Sequence, residues 1–304
     1  MQLSRLFICA LLALAALVGP AHRALAQDTS LHDILIDGEQ WQEAVTGYGL
    51  TDGLACNKEG NLYFSDPKSG KGIYKLGLDG KVNLIIDNYP KISGLRIGAD
   101  GRIYAAQGGT FGRVLVFEKD GTAKELLTGV KPNDLTMTKS GIVYMTETPT
   151  KRIHGILPDG KTFIADEGHV IRPNGITLSL DNSTLVVSEH GGKHVWAWQI
   201  GKDGQLSGAE PYMTMQVSPN NAKGEALGDG STTDANGRFY VTTELGVQVF
   251  DATGRLAGII AKPPGVKPVV SVAFAGEGHQ WLFLAGGGTI YKRKTKTKSA
   301  WWLD

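Results

Sequence analysis

The sequence predicts an all-β chain folded as a six-bladed β-propeller, with four antiparallel strands per blade and the last blade closed by the N-terminal strand. Three observations predict it. Glycine supplies 41 of the 304 residues, about 13% against an ordinary ~7%. With only 12 prolines and 41% apolar residues, this composition excludes collagen, a low-complexity linker and disorder. The glycines recur in a fixed frame, and each frame holds four short alternating runs between turn signals, the pattern of a strand meander.

Taken in order, the first 26 residues stand apart. Arg5 precedes an apolar run over 6–18, and Ala24-Leu25-Ala26 supplies a small-x-small cleavage pattern. Residues 1–26 therefore read as a secretory signal peptide cut after Ala26. The run is too short to span ~30 Å of hydrocarbon. Cys9 lies inside the run rather than at its end, which disfavours a lipid anchor. The expectation is one propeller domain over 27–304, secreted or periplasmic, with no insertion into membrane.

The repeats follow. The first unit runs Asp52-Gly53-Leu54, Asn61-Leu62-Tyr63-Phe64, Ile73-Tyr74-Lys75-Leu76 and Asp79-Gly80. The second runs Ser93-Gly94-Leu95, Arg102-Ile103-Tyr104, Val114-Leu115-Val116-Phe117 and Asp120-Gly121. Further units open at Asn133-Asp134, Asn174-Gly175, Asp229-Gly230 and Ser271-Val272. Their first turns fall at Gly60, Gly101, Gly141, Asn182, Gly237 and Gly278, separated by 41, 40, 41, 55 and 41 residues. Asparagine at 182 is the expected stand-in, because it tolerates positive φ. Six such units are six propeller blades.

The longer fourth spacing marks an insertion at 217–228, expected as a loop over one face. The sixth unit ends after its third strand, while 38–53 aligns with 80–94. The strand around 41–45 is thus expected to complete the last blade and cover its edge. The basic run 292–298 alternates lysine or arginine with other residues and reads as a solvated, lysine-protected outer strand rather than a polyanion site.

Lys+Arg 31 against Asp+Glu 30 leaves a net charge of +1, so no field draws nucleic acid or anionic membrane. Without Cys9 the mature chain has Cys56 alone, which excludes an intrachain disulfide. Its alternating apolar context reads as packing. The sequence contains no Gly-x-Ser-x-Gly elbow, no Cys–His arrangement and no His-Glu-x-x-His. Rigidity in an exported chain without disulfides must come from a large core or a bound metal.

In a meander blade, the residues that open the innermost strands converge on one mouth of the central channel. Here they are Asp52, Ser93, Asn133, Asn174, Asp229 and Ser271, joined by the second-strand ends Asp66, Gln107, Glu147, Glu189 and Glu244. Gly53, Gly94, Gly175 and Gly230 follow the opening residues, and their missing side chains are expected to leave room for an ion and a substrate. Asp-Gly and Asn-Gly also make plain turns, and Asp79, Asp120 and Asp159 are read that way. Convergence of several oxygen donors on one axis points instead to Ca²⁺, which takes six to eight oxygens at ~2.3–2.6 Å. Among the histidines only His190, after Glu189, falls near this mouth.

Several motifs then carry a resemblance: Pro132-Asn133-Asp134; Arg172-Pro173-Asn174-Gly175-Ile176 with Ser179; Gly228-Asp229-Gly230 with Asp234 and Gly237; and Glu244-Leu245-Gly246-Val247-Gln248-Val249-Phe250-Asp251 with Gly254. In this order they resemble the SMP-30/gluconolactonase/LRE-like family over essentially the whole chain after residue 26. The resemblance implies a propeller that binds a divalent cation, commonly Ca²⁺, with Zn²⁺, Mn²⁺ or Mg²⁺ as alternatives, and that hydrolyses sugar lactones or related esters. Position by position it implies the metal ligands Asn133, Asn174 and Asp229, plus an acid before the first blade. The family has Glu-Gly-Pro there, and this chain has Asp52-Gly53-Leu54, one methylene shorter. The resemblance gives Asp229 a second role as general base and sets Lys131 against the substrate. Asn133, Glu147 and Glu189 complete the expected substrate-binding set.

The expected function is an exported, metal-dependent hydrolase whose partner is a small-molecule lactone or ester. The metal would polarise the lactone carbonyl for attack by water. Two other readings stay open: a non-catalytic ligand-binding propeller, favoured by Asp52, Ser93 and Ser271, and a related propeller esterase or phosphotriesterase, because fold does not fix function.

Overall fold

Near-continuous apolar runs such as Leu185-Val186-Val187 place apolar side chains on both faces of a small sheet, and such a sheet is stable only when neighbours cover it. The computed structural model describes residues 30–301 and resolves this demand with six four-stranded antiparallel sheets. The expected leader over 1–26 lies outside the described residues. Blade 1 comprises β2 (Asp52–Cys56), β3 (Leu62–Ser65), β4 (Ile73–Leu76) and β5 (Val82–Ile86). Blade 2 comprises β6 (Ile92–Ile97), β7 (Ile103–Gln107), β8 (Arg113–Phe117) and β9 (Ala123–Thr128). Blade 3 comprises β10 (Leu135–Met137), β11 (Val143–Glu147), β12 (Arg152–Ile156) and β13 (Thr162–Glu167). Blade 4 comprises β14 (Pro173–Leu178), β15 (Thr184–Glu189), β16 (His194–Ile200) and β17 (Leu206–Thr214). Blade 5 comprises β18 (Ser231–Thr233), β19 (Phe239–Thr243), β20 (Gly246–Phe250) and β21 (Leu256–Ala261). Blade 6 comprises β22 (Val269–Ala275), β23 (Trp281–Gly286) and β24 (Thr289–Lys294), with β1 (Gln42–Val45) as its fourth strand.

β1 pairs antiparallel with β24 through Gln42↔Lys292 and Glu43↔Tyr291, so the N-terminal strand fastens the last blade. The inner strands touch in a closed cycle: β2, β6, β10, β14, β18, β22 and again β2. The protein is a six-bladed β-propeller. Its core lies in the seams between blades. Leu54 and Phe64 of blade 1 pack with Ala273 and Phe283 of blade 6. Tyr144 and Ile153 of blade 3 pack with Ile176, Val187 and Trp198 of blade 4. Each fully buried side chain of this size contributes about 1.5–3 kcal/mol, so the closed ring, and no single sheet, is the stable unit.

The turn at Asn182 shows why that position is asparagine. Its φ of 61° lies in the left-handed region, like Gly141 at 93° and Gly237 at 76° in neighbouring blades. Its Oδ1 also accepts a 2.8 Å bond from the Lys139 N–H, tying blade 4 to blade 3. Glycine could make the turn but not the tie. The insertion after β17 is a strandless stretch, clipped between blades 4 and 5 by Ala226 N–H to Gly192 O (2.7 Å) and Glu244 N–H to Ala226 O (3.4 Å).

The basic run departs from expectation. β24 is the third strand of its blade and β1 covers its outer side, so the run is not an outer strand. Residues 295–301 leave the sheet and form a strap across the end of the channel where the inner strands finish. Lys294, Lys296 and Lys298 are exposed, while Thr295, Thr297 and Ser299 are buried. Thr297 Oγ1 donates to Asp234 Oδ2 (3.0 Å) and Ala300 N–H to Thr233 O (3.1 Å). Trp301 Nε1 donates to Ile97 O (3.0 Å), and its ring lies 4.1 Å from the Arg96 guanidinium carbon. The edge beside β24 is already filled, so the hydroxyl-bearing side of the strap finds cover only over the channel floor. No helix among the described residues is long and apolar enough to cross a membrane.

Candidate functional site

All six inner strands start at the same end of the channel, so Asp52, Ser93, Asn133, Asn174, Asp229 and Ser271 ring one mouth. The glycines after them do not open space. A Cβ on Gly175 would lie 2.1 Å from Asp229 O, and one on Gly230 would lie 2.6 Å from Val270 O. The expected room for an ion or substrate at these positions is filled by backbone of the next blade. Glycine is required there because it lets adjacent inner strands approach closely enough to narrow the mouth.

Buried hydroxyls hold the mouth residues in place. Thr146 Oγ1 donates to Asn174 O (2.7 Å), Ser188 Oγ to Asp229 O (2.8 Å) and Ser93 Oγ to Asn133 O (2.6 Å). Each clamp comes from the preceding blade, so the position of one donor depends on its neighbour's second or first strand.

The acids at the second-strand ends have a different task. Glu147 Oε1 accepts from Lys131 N–H (2.6 Å), and its Oε2 accepts from Thr150 Oγ1 (2.6 Å) and meets His154 Nε2 (2.9 Å). Burial alone would push Glu147 up, but the bonds from Thr150, His154 and Lys131 N–H hold it below the usual carboxylate range. Glu189 accepts from Ile171 N–H (3.0 Å) and His194 N–H (3.3 Å). Asp66 accepts from Gly49 N–H (2.7 Å) and Leu50 N–H (3.1 Å). These carboxylates secure the loop that leads into their own blade. Glu147 thereby fixes the backbone of Lys131, whose side chain is exposed at the rim.

Electrostatics concentrate on three aspartates. Asp52 is pushed up to about 8, chiefly by burial, against a 2.8 Å bond from Gly53 N–H and with repulsion from Asp134. Asp229 is raised well above the usual carboxylate range, first by burial and then by Asp52 and Asp134, while a bond from Asn174 opposes the rise. Asp134 is raised to about 7 by burial, opposed by N–H bonds from Leu135 and Ile176 and by the charge of Arg96. Eighteen per cent of the Asp229 side chain stays open, which leaves a ligand a way in. His190 Nδ1 is 3.9 Å from Asp229 Oδ2, 3.3 Å from Asn174 Nδ2 and 3.2 Å from Gly228 O. Burial, then the charge of Arg172, holds this imidazole below its ordinary value.

The mouth motifs sit within a matching stretch of family sequence: residues 51–287 match the SMP-30/gluconolactonase/LRE-like region. The chain belongs to the SMP-30/gluconolactonase/LRE-like family. It is 26% identical over 231 residues to the gluconolactonase of Zymomonas mobilis, covering 68% of this chain and 64% of that relative's length. Two solved structures share the fold. A Xanthomonas campestris gluconolactonase has TM-score 0.72 at 23% identity, over 86% of this chain and 90% of that one. The calcium-binding protein regucalcin of Agrobacterium tumefaciens has TM-score 0.68 at 18% identity, over 85% and 95%.

Within this family member, the structure brings Asp52, Asn133, Asn174 and Asp229 to one mouth, with Lys131 outside it. No group of three or more His, Cys, Asp or Glu side chains among the described residues is gathered as a metal site, so a donor set here must draw on the two amides. Sequence reasoning missed Asp134 and Arg96 below the mouth and the clamping hydroxyls beside it. The hydroxyls had a signal: Ser65-Asp66, Thr146-Glu147, Ser188-Glu189 and Thr243-Glu244 repeat a hydroxyl before an acid at four second-strand ends. Beneath Asp134 the channel narrows to a cavity of about 50 Å³ lined by Arg96, Cys56 and Trp301 among others. Cys56 Sγ stands 3.8 Å from His279 Nδ1 at this lower end, a Cys–His contact between residues 223 positions apart. It is remote from the mouth.

Proposed function

We propose that this protein is a divalent-metal-dependent lactone hydrolase. One observation carries the reading. Asp52 and Asp229, both half-buried and both raised by desolvation and by mutual or shared aspartate repulsion, face a mouth completed by the Asn133 and Asn174 amides. Two carboxylates and two neutral oxygen donors fit a hard divalent ion such as Ca²⁺, and such an ion relieves the repulsion. The gluconolactonase relative and the calcium-binding relative of the same fold support it.

When bound, the ion would supply Lewis-acid polarisation of a lactone carbonyl and stabilise the developing oxyanion. Asp52, Asn133, Asn174 and Asp229 would hold it. Asp229 accepts a proton from the attacking water at its open carboxylate, while the Asn174 amide orients that carboxylate. Gly228 O can only accept, so it keeps a proton on His190 Nδ1 and directs the imidazole edge toward Asp229. Lys131 at the rim steadies the oxygens of the ring being opened, on a loop fixed by Glu147.

The test is acid release from glucono-δ-lactone and a wider lactone panel at constant pH, with Ca²⁺ and then with chelator. Turnover that chelation stops, and that Asp229→Asn lowers by about 10²–10⁴-fold, is the expected result. Tight metal binding with every lactone at the buffer rate would reject it. The shorter Asp52 favours one other reading, a non-catalytic binding propeller, and that same rejection outcome would select it. We also propose export to the periplasm or medium through residues 1–26; the N-terminal residue of the mature protein should be Gln27.

A further inference from the structure

Each inner-strand opening residue is preceded, two positions earlier, by a residue on the same rim. Around the ring these are Leu50, Lys91, Lys131, Arg172, Leu227 and Val269. They are apolar on blades 1, 5 and 6, which carry Asp52, Asp229 and Ser271. They are cationic on the three consecutive blades 2, 3 and 4. At the opening positions and those two before them, the carboxylates Asp52 and Asp229 thus fall on blades 1 and 5 and a crescent of cations on blades 2, 3 and 4; Lys68, Lys262 and Lys267 lie on the later loops of blades 1, 5 and 6.

The fold does not require these cations. Lys91 and Arg172 have φ of 65° and 58°, but Leu227 makes the same turn at 56° with an apolar side chain. The backbone conformation thus belongs to the blade junction, and the charge is a separate feature. Overall charge does not account for it either, since the whole chain carries only +1. All three side chains are exposed, and none lies within 4 Å of a carboxylate among the described residues. On the opposite face, by contrast, Lys81 and Arg102 pair with aspartates of their own turns.

Their loops are fixed rather than trailing. Gly108 N–H donates to Lys91 O (2.9 Å), His190 N–H to Arg172 O (3.1 Å) and Lys131 N–H to Glu147. The charge of Arg172 is felt at His190, which itself touches the Asp229 side of the mouth. Lys91 Nζ donates to Lys68 O (3.5 Å), and none of the three cations meets a carboxylate among the described residues; cations without a counter-charge around one mouth attract and orient an anion.

We propose that the substrate of this mouth carries an anionic group, a carboxylate or phosphate remote from the lactone, which Lys91, Lys131 and Arg172 bind while the lactone carbonyl lies toward Asp52 and Asp229. The proposal rests on the lactonase reading and specifies its substrate class. A neutral sugar lactone leaves the crescent unused.

The experiment compares kcat/KM of the Ca²⁺-loaded protein for glucono-δ-lactone, 6-phosphoglucono-δ-lactone and glucaro-1,4-lactone. At least one anionic lactone should be preferred by about tenfold or more at low salt, through KM, and the preference should shrink as NaCl rises toward 0.5 M, where charges ~4 Å apart or more are screened. The relative rates of the phosphorylated and carboxylated arms identify the group. In Lys91→Glu/Arg172→Glu the preference should collapse toward or below one, with Lys91→Ala/Arg172→Ala intermediate. Equal use of neutral and anionic lactones, insensitive to salt and to these variants, overturns the proposal and leaves the lactonase reading standing. If no lactone turns over, the lactonase reading fails, and direct titration with 6-phosphogluconate against gluconate tests the crescent alone: binding weakened at least about fivefold by the charge-reversal variant supports it, and equal or absent binding overturns it.

Discussion

Glu147 shows how a single side chain can look like part of a site and serve as its support. From the sequence, an acid at the end of a second strand points at the mouth. In three dimensions its oxygens meet Lys131 N–H, Thr150 and His154, all within 2.9 Å. The substitution Glu147→Gln keeps the shape but weakens charge-assisted bonds, each worth roughly 1.5–3 kcal/mol. The expected outcome is a loss of about 1–2 kcal/mol in urea unfolding, with a modest change in turnover traced to the Lys131 loop. A large rise in KM at unchanged stability would instead return Glu147 to the substrate. The axial residues were legible because Asp52, Asn133, Asn174 and Asp229 repeat at the openings of successive units. Asp134 and Arg96 were not: Asp134 stands where four other blades carry glycine, and Arg96 lies three residues past Ser93, where the repeat has no fixed residue type. Only the closed ring brings them onto the same axis.

Among the elements, strands and turns were readable for a mechanical reason. Alternation and left-handed turns are local properties, and Asn182 at φ 61° met the expectation set by glycine at its sister positions. The closing strand β1 was also readable, because a meander lacking its fourth strand advertises the vacancy. The strap 295–301 was not. Its alternating lysines look the same whether the other side faces water or a channel floor, and only a count of filled strand positions separates the two. The consequence is testable on Trp301, which is 8% exposed, bonded to Ile97 O and stacked on Arg96. Removing a buried tryptophan typically costs about 3–5 kcal/mol, and a strap outside the sheets can relax, so Trp301→Ala should cost about 2–4 kcal/mol in denaturant unfolding. The same substitution should expose the channel floor around Cys56, read as faster reaction of its thiol with a water-soluble disulfide reagent. An unchanged unfolding midpoint together with an unchanged thiol rate would show that the strap does not seal the floor.

Across the whole molecule, the ring converts six weak sheets into one scaffold and loads the strain of convergence onto its axis. Asp52 has an ordinary value near 3.8 when the chain is unfolded and about 8 in the folded protein, raised chiefly by burial, and Asp229 moves in the same direction. Between about pH 4 and pH 8 the folded protein therefore holds protons that the unfolded chain has released, so the metal-free protein loses stability as pH rises through that window. A divalent ion reverses the balance. It binds the ionised carboxylates, displaces their protons and stabilises only the folded state. The melting temperature of chelator-treated protein should thus fall between pH 5 and pH 8, and millimolar Ca²⁺ should raise it more at pH 8 than at pH 5. Alanine at Asp52 should flatten both curves, since it removes one partner of the repulsion and one donor together. A metal-free melting temperature that rises with pH over this range would mean that the axial carboxylates are already compensated from within the protein, and the case for a cation at the mouth would lose its physical basis.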